Sequence, residues 1–280
     1  MTRTLPLACA LALGACAGHA AEATAPRIRT EPPAATEVKL AARDERPTRR
    51  QAAQRILPHN VRVMVYEAGE AKRTASGVVL GRRVERGMQM EYVVTNTHVV
   101  ERREGEGKLK FTVVVDGRKE SREYDAELAA TGKVPEMDLA VLEVAGLDLP
   151  PAELATDDEL DLGNDVVVAS APYGHAISLS GGLVSYVEYD PQSGAAQLLK
   201  TDAPIGYGAS GGGVYAQDTG RLVAVVEGYR TARIDFNVAK DNYAFDVPMP
   251  GETFGSPAAK IRSFLGSHGL GWILAQRASP

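Results

Sequence analysis

A chain of 280 residues with 44% hydrophobic side chains can bury one large core or two small ones, and its net charge of −5 argues against nucleic acid as a partner. The only cysteines, Cys9 and Cys16, stand at the very start, so the rest of the chain has no internal disulfide, no cysteine nucleophile and no thiolate metal site.

Residues 1–20 read MTRTLPLACALALGACAGHA. Arg3 is a short basic n-region, and the apolar run from Leu5 to Ala15 is too short to span a bilayer, so it reads as an export signal. It ends in Leu13-Gly14-Ala15-Cys16, which is similar to a bacterial lipobox. That pattern predicts a lipoprotein signal over 1–15 and lipidation of Cys16, whose acyl chains would hold the protein to a membrane at ~0.8 kcal/mol per buried CH₂. The alternative is an ordinary signal peptide cut near Ala17 to Ala21 and a secreted product. Residues 16–55 are rich in Ala, Pro, Arg and Glu and lack aromatics; they read as a flexible tether, with some helix between Glu37 and Arg55.

From Val61 the pattern changes to short strands and turns. The predicted strands are Val61–Tyr66, Thr74–Leu80, Glu91–Thr95, Leu109–Val115, Glu123–Thr131, Leu139–Val144, Val166–Ala169, Leu179–Tyr189, Ala196–Thr201, Gly212–Ala216, Leu222–Tyr229 and Asn242–Val247. Their even spacing without intervening helices points to an all-β sandwich or barrel. Pro257–Leu265, preceded by Ser256 and followed by Gly266, reads as a C-terminal helix within a tail over 251–280.

One stretch, GYGASGGGVY at Gly206–Tyr215, sets a lone hydroxyl, Ser210, in a bed of glycine. A phosphate-binding loop would need Gly-Lys-Ser/Thr, and no lysine is present. A hydrolase nucleophile elbow would need a helix after the serine and then Asp and His; here a strand follows, and the only later histidine is His268. A tight loop without chemistry is the bland reading. The remaining one asks for His, Asp and Ser in that order. Upstream, a β run ends in Thr95-Asn96-Thr97-His98, and Asp138 opens an apolar strand. Each residue alone would be a strand-end or turn residue; together His98, Asp138 and Ser210 follow the chain order of one of the known triads.

These blocks carry a resemblance. SGVVL (Ser76–Leu80), VVTNTHVV (Val93–Val100), MDLAVLEV (Met137–Val144), VVVASAPYG (Val166–Gly174), GGLVSYVE (Gly181–Glu188), LLKTDAPIGYGASGGGVY (Leu198–Tyr215) and YAFDVP (Tyr243–Pro248) resemble the trypsin-like serine peptidases, in particular the bacterial HtrA/Deg-like type. The resemblance implies two six-stranded antiparallel β-barrels over about 56–250, with the active site in the crevice between them. It also implies a serine endopeptidase without cofactor or metal, acting on protein or peptide substrates. His98 and Asp138 would come from the first barrel and Ser210 from the second, and the N–H groups of Gly208 and Ser210 would form the oxyanion hole.

Departures from the family are visible. Ala209 replaces the usual Asn or Asp, which excludes activation through pairing with a new N-terminus; Gly213 replaces proline, which would loosen the next strand. About thirty residues after Pro250 leave no room for a PDZ domain. For the substrate pocket the resemblance implicates Ile205, near Pro204, with walls from Val225, Val226, Glu227 and Gly228 and from Tyr243 to Phe245. That set favours a small or medium aliphatic side chain, with Glu227 turned to solvent; turned inward, it would favour a basic one. A reading of a different class is a catalytically weak module that binds extended peptides along Val223–Tyr229 by β-addition.

Overall fold

The computed structural model describes residues 47–156, 159–238 and 241–275. The expected leader, Cys16 and most of the tether lie outside the described residues. Within the tether's end, Thr48 caps helix α1 (Arg49–Ile56) in a reciprocal capping box with Gln51.

Twelve strands follow: β1 (Asn60–Glu67), β2 (Glu70–Glu85), β3 (Met88–Thr95), β4 (Leu109–Asp116), β5 (Ser121–Thr131), β6 (Ala140–Ala145), β7 (Asp165–Ser170), β8 (Ser178–Tyr189), β9 (Ala196–Thr201), β10 (Gly213–Ala216), β11 (Leu222–Val238) and β12 (Asp241–Pro257). They close into two six-stranded antiparallel barrels, ordered β1-β2-β3-β6-β5-β4 and β10-β11-β12-β9-β8-β7. The short helix α2 (Thr97–Val100) follows β3, and α3 (Ala258–Ser267) follows β12. The all-β double barrel with a C-terminal helix is therefore as expected. Among the described residues no helix is long and apolar enough to cross a membrane.

The valine-rich runs explain the closure. Along β1, Val61, Val63 and Val65 point into the first barrel and pack with Val79, Val93, Val113, Ala140 and Leu142. Strand residues of the other parity face outward: Val78, Val94 and Val141 meet Val167, Ala169, Leu222 and Val225 of the second barrel, sealed by Ile261, Phe264 and Leu265 of α3. Period-two alternation with both faces buried reads as a continuous apolar run, because one face fills a barrel and the other fills the seam between barrels.

Polar contacts also cross that seam. The fully buried Tyr215 on β10 donates its hydroxyl to Asn60 on β1 at 3.0 Å, and burial pushes its phenol well above the ordinary range. Gly213, expected to loosen its strand, instead pairs regularly with Ala169 and Val225. A Cβ there would stand 2.3 Å from the Tyr215 ring, so the ring's position requires glycine.

Two departures concern β11 and β12. They were expected to end near Tyr229 and Val247, but pair onward from Thr231↔Pro248 to Val238↔Asp241 as a two-stranded arm. Its alternation puts Ile234 opposite Phe245 and Phe236 opposite Tyr243 on one face. β12 then returns to the barrel, pairing Thr253–Gly255 with β9, so the barrel extends past the boundary expected at residue 250.

Arg62 on β1 forks onto Asp116 of β4 and also donates to the Gly174 carbonyl of the second barrel. Burial raises the Asp116 pKa, but the hydrogen bonds from Arg62 and Ser121 outweigh it and hold the carboxyl below its usual value. A lowered carboxyl contributes stability that is complete above the unfolded pKa, about 3.9, and is lost as pH falls through the folded value. Asp116→Asn should therefore cost about 2 kcal/mol in urea unfolding at pH 7. The gap from wild type should close progressively below about pH 4; a gap independent of pH would disprove the assignment.

Candidate active site

The segment Thr95–His98 is built to bring two strand ends together. Thr95 Oγ1 donates to the Ser76 carbonyl at 2.8 Å, Asn96 Nδ2 to the Asp138 carbonyl at 2.7 Å, and Thr97 Oγ1 to the Leu139 carbonyl at 2.7 Å. The start of β6 is thus tied to the end of β3 by side chains that are themselves buried. The Asp138 carboxylate, also buried, accepts from the His98 backbone N–H at 2.9 Å and from His98 Nδ1 at 2.6 Å. With its Nδ1–H donating to the carboxylate, the ring presents Nε2 as an acceptor, and Ser210 Oγ stands 3.1 Å from it. The structure brings the three together across the barrel boundary.

The glycine bed has a reason residue by residue. Gly208 sits at φ +87°, where an added Cβ would come within 2.7 Å of the Ala171 carbonyl. Gly211, at φ +83°, approaches the first barrel so closely that a Cβ would lie 2.1 Å from the Ser76 oxygen. Among the described residues, neither Gly208 N–H nor Ser210 N–H donates a hydrogen bond, so both donors expected for the oxyanion hole are free. The loop carrying them is held by Ser76, which the sequence reading did not single out. Its hydroxyl donates to the Gly208 carbonyl and accepts from Ala171 N–H, both at 2.8 Å, and its own N–H donates to the Ser210 carbonyl at 2.8 Å. The signal was present as a serine inside an otherwise apolar strand, Ser76–Leu80.

Beside Ser210 opens a pocket of 240 Å³ lined by Ile205, Gly206, Tyr207, Gly208, Gly228, Tyr229 and Thr231. Ile205 and Gly228 were expected there; the tyrosines were not. Tyr207 meets Tyr229 edge-on at 5.9 Å and Tyr173 at 6.2 Å. Burial and the neighbouring Tyr207 push the Tyr229 phenol up to about 12, so this hydroxyl stays neutral at any working pH.

The other expected pocket residues lie elsewhere. Val225 and Val226 are fully buried in the core. Tyr243 and Phe245 are half-exposed on the arm and pack on Phe236. The residues facing Val225–Gly228 are Phe254, Gly255 and Ser256, so YAFDVP only resembles the family's strand; the arm is interposed before it. Glu227 turns neither to solvent nor into the pocket: its carboxylate accepts from Ser256 Oγ and pairs with Lys260. Val223–Tyr229 is an open edge only in part: Val225 pairs with β10 on one side and β12 on the other, whereas among the described residues Gly228 and Tyr229 pair with β12 alone.

The family model described as the trypsin-like peptidase domain matches residues 75–225, a little over half of the chain. The chain belongs to that family. Its relatives include a protein of Marinomonas sp. named as a probable periplasmic serine endoprotease, DegP-like, 32% identical over 135 residues that cover 48% of this chain and 26% of the relative. A Haemophilus influenzae protein named as a probable periplasmic serine protease, do/HhoA-like, is 29% identical over 184 residues, covering 64% of this chain and 36% of that protein. The chain thus spans about a quarter to a third of the length of these curated relatives. Among solved structures, a serine endoprotease from Yersinia pestis matches with a TM-score of 0.56 at 21% identity, covering 82% of this chain and 68% of that one. The HtrA-type protease AlgW with tripeptide matches with a TM-score of 0.57 at 23% identity, covering 80% and 65%. At these identities the structures speak for the fold.

Because Ser76 holds the trypsin-like loop from the opposite barrel, Ser76→Ala should leave the Gly208 carbonyl and Ala171 N–H unpaired. The expected result is slower labelling of Ser210 by a fluorophosphonate, by about 10²-fold, in a protein that still folds. Labelling at the wild-type rate would mean that the clamp has no part in the site.

Proposed function

We propose that this protein is an exported serine endopeptidase that cleaves peptide bonds through an acyl-enzyme, with His98, Asp138 and Ser210 as its triad. The observation that carries the reading is the continuous contact from Asp138 through His98 to Ser210, at 2.6 Å and 3.1 Å, beside two unused N–H groups. A serine hydroxyl is a weak nucleophile until a base takes its proton. His98 Nε2 takes it as Oγ attacks the carbonyl, then returns it to the leaving amine; Asp138 holds the ring's tautomer and stabilises its cation. The N–H groups of Gly208 and Ser210 receive the oxyanion. The small residues around Ser210 leave room for an extended peptide, and the tyrosine-lined pocket takes an uncharged side chain before the scissile bond. No step calls for a metal or cofactor.

The relatives' printed names support periplasmic export and protein substrates. The signal over 1–15 and Cys16 support a lipid anchor, with 16–55 as the tether and the peptidase domain running from about 56 through β12 to Pro257. The peptide-binding reading has less support: Val225 and Val226 are paired on both sides, and among the described residues the side of β11 facing Ser210 is open only beyond Val226.

Ser210→Ala should abolish hydrolysis of casein while the variant stays folded, a loss of up to about 10⁶ in turnover by the subtilisin precedent. Retention of more than about a hundredth of wild-type turnover would exclude Ser210 as the nucleophile. For the anchor, Cys16→Ala expressed from the full chain should move the protein from the membrane fraction to the soluble one; equal membrane association of both proteins would exclude lipidation at Cys16.

A further inference from the structure

Glu227 is the extra residue of a β-bulge. β11 pairs Val226 with Gly255 and Gly228 with Phe254, which leaves Glu227 without a ladder partner. Bulges re-aim backbone and side chain next to active sites, and this one does both. The Glu227 carbonyl turns towards the nucleophile and stands 3.3 Å from Ser210 Oγ, a second acceptor beside His98. Its neighbour Val226 grips the same loop with both backbone groups, accepting from Gly211 N–H at 2.9 Å and donating to Gly212 at 2.8 Å. Gly228 and Tyr229, just beyond the bulge, form the pocket wall.

The Glu227 side chain points the other way, away from the pocket. Its carboxylate accepts from Ser256 Oγ on β12 and from Lys260 Nζ in the first turn of α3, the latter at 3.3 Å. The Lys260 side chain is 8% exposed and that of Glu227 11%. Either charge buried alone would be strongly unfavourable, so each holds the other in place. Stability alone does not call for this arrangement, since an apolar pair of like volume serves as well or better. What the pair adds is a fixed position for the residue beside Ser210 that the sheet itself does not hold.

Resting on the serine-peptidase reading above, we propose that Lys260 is a positioning residue for Ser210: through Glu227 it fixes the bulge, and so sets the carbonyl that shares the nucleophile's proton with His98. The C-terminal helix is then coupled to the active site by one ion pair, although it touches no substrate.

The test compares Lys260→Met, Lys260→Arg and the double variant Glu227→Gln/Lys260→Met with wild type. Three quantities are read: casein turnover under saturating conditions, the rate of labelling by diisopropyl fluorophosphate, which needs the nucleophile but little of the pocket, and the melting temperature. Lys260→Met is expected to lose about 10²-fold in kcat and in labelling rate, as a nucleophile misplaced by a fraction of an ångström does, with KM little changed. Lys260→Arg restores the pair and most of both rates. The double variant removes the unpaired buried carboxylate, so its melting temperature returns towards wild type while its kcat stays low. If Lys260→Met does not fold, the double variant decides alone. Wild-type kcat and labelling in a folded variant lacking the pair would overturn the proposal. Wild-type protein that neither cleaves casein nor takes the label would instead overturn the serine-peptidase reading on which it rests.

Discussion

Ser76 and the loop Gly208–Ser210 meet across the boundary of two separately closed barrels, through two hydrogen bonds from the serine and with room only for glycine at 211. His98 and Asp138 belong to one side of that boundary and Ser210 to the other, so the contact between His98 and Ser210 forms only if the barrels dock closely. The apolar seam supplies the force, because the outward-facing valines of both barrels and the buried face of α3 are covered only when docked. Being non-directional, that force cannot set the register. The directional contacts do: Ser76 with Gly208, Tyr215 with Asn60, and Arg62 with Gly174. The buried hydroxyl of Tyr215 and the carbonyls of Gly208 and Gly174 would lose these partners if the barrels slid.

The same constraint accounts for the nucleophile loop's composition. Gly208 and Gly211 adopt backbone angles that favour glycine, and both stand where a methyl group would strike the backbone of another segment. Gly213 has a different duty, making room for the Tyr215 ring that ties the second barrel to β1. The substitution of glycine for the family's proline is therefore matched by a tyrosine two residues on.

Strands such as β1, β3 and β7 were legible because they bury at least one face, and alternation with turn signals records that directly. The proposed triad could be picked out because its three contexts are local: a strand end with Thr-Asn-Thr before His98, an acid at the head of an apolar strand, and a serine among glycines. What escaped depends on relations between distant residues. The arm of β11 and β12 carries its own alternation, Ile234 and Phe236 against Phe245 and Tyr243, yet nothing in one strand announces that the other pairs with it beyond the barrel. Its Tyr243–Pro248 also mimics the motif expected of a pocket wall, which drew the assignment away from Phe254–Ser256. Glu227 was misread for a related cause: a charged residue in a strand defaults to solvent unless a counter-charge is known, and Lys260 lies 33 residues away in another element. Ser76 passed unnoticed because its role lies in what it touches.

In the proposed mechanism the docked seam creates a working oxyanion site at Gly208 and Ser210 for a nucleophile activated by His98. The most direct measurement is a crystal structure of the protein after reaction with a phosphonate, with the adduct mapped by mass spectrometry. The expected product is a single covalent bond to Ser210 Oγ, with the phosphoryl oxygen within hydrogen-bond reach of both N–H groups, about 2.7–3.1 Å. An adduct on another residue, or a phosphoryl oxygen turned to solvent away from Gly208 and Ser210, would contradict it.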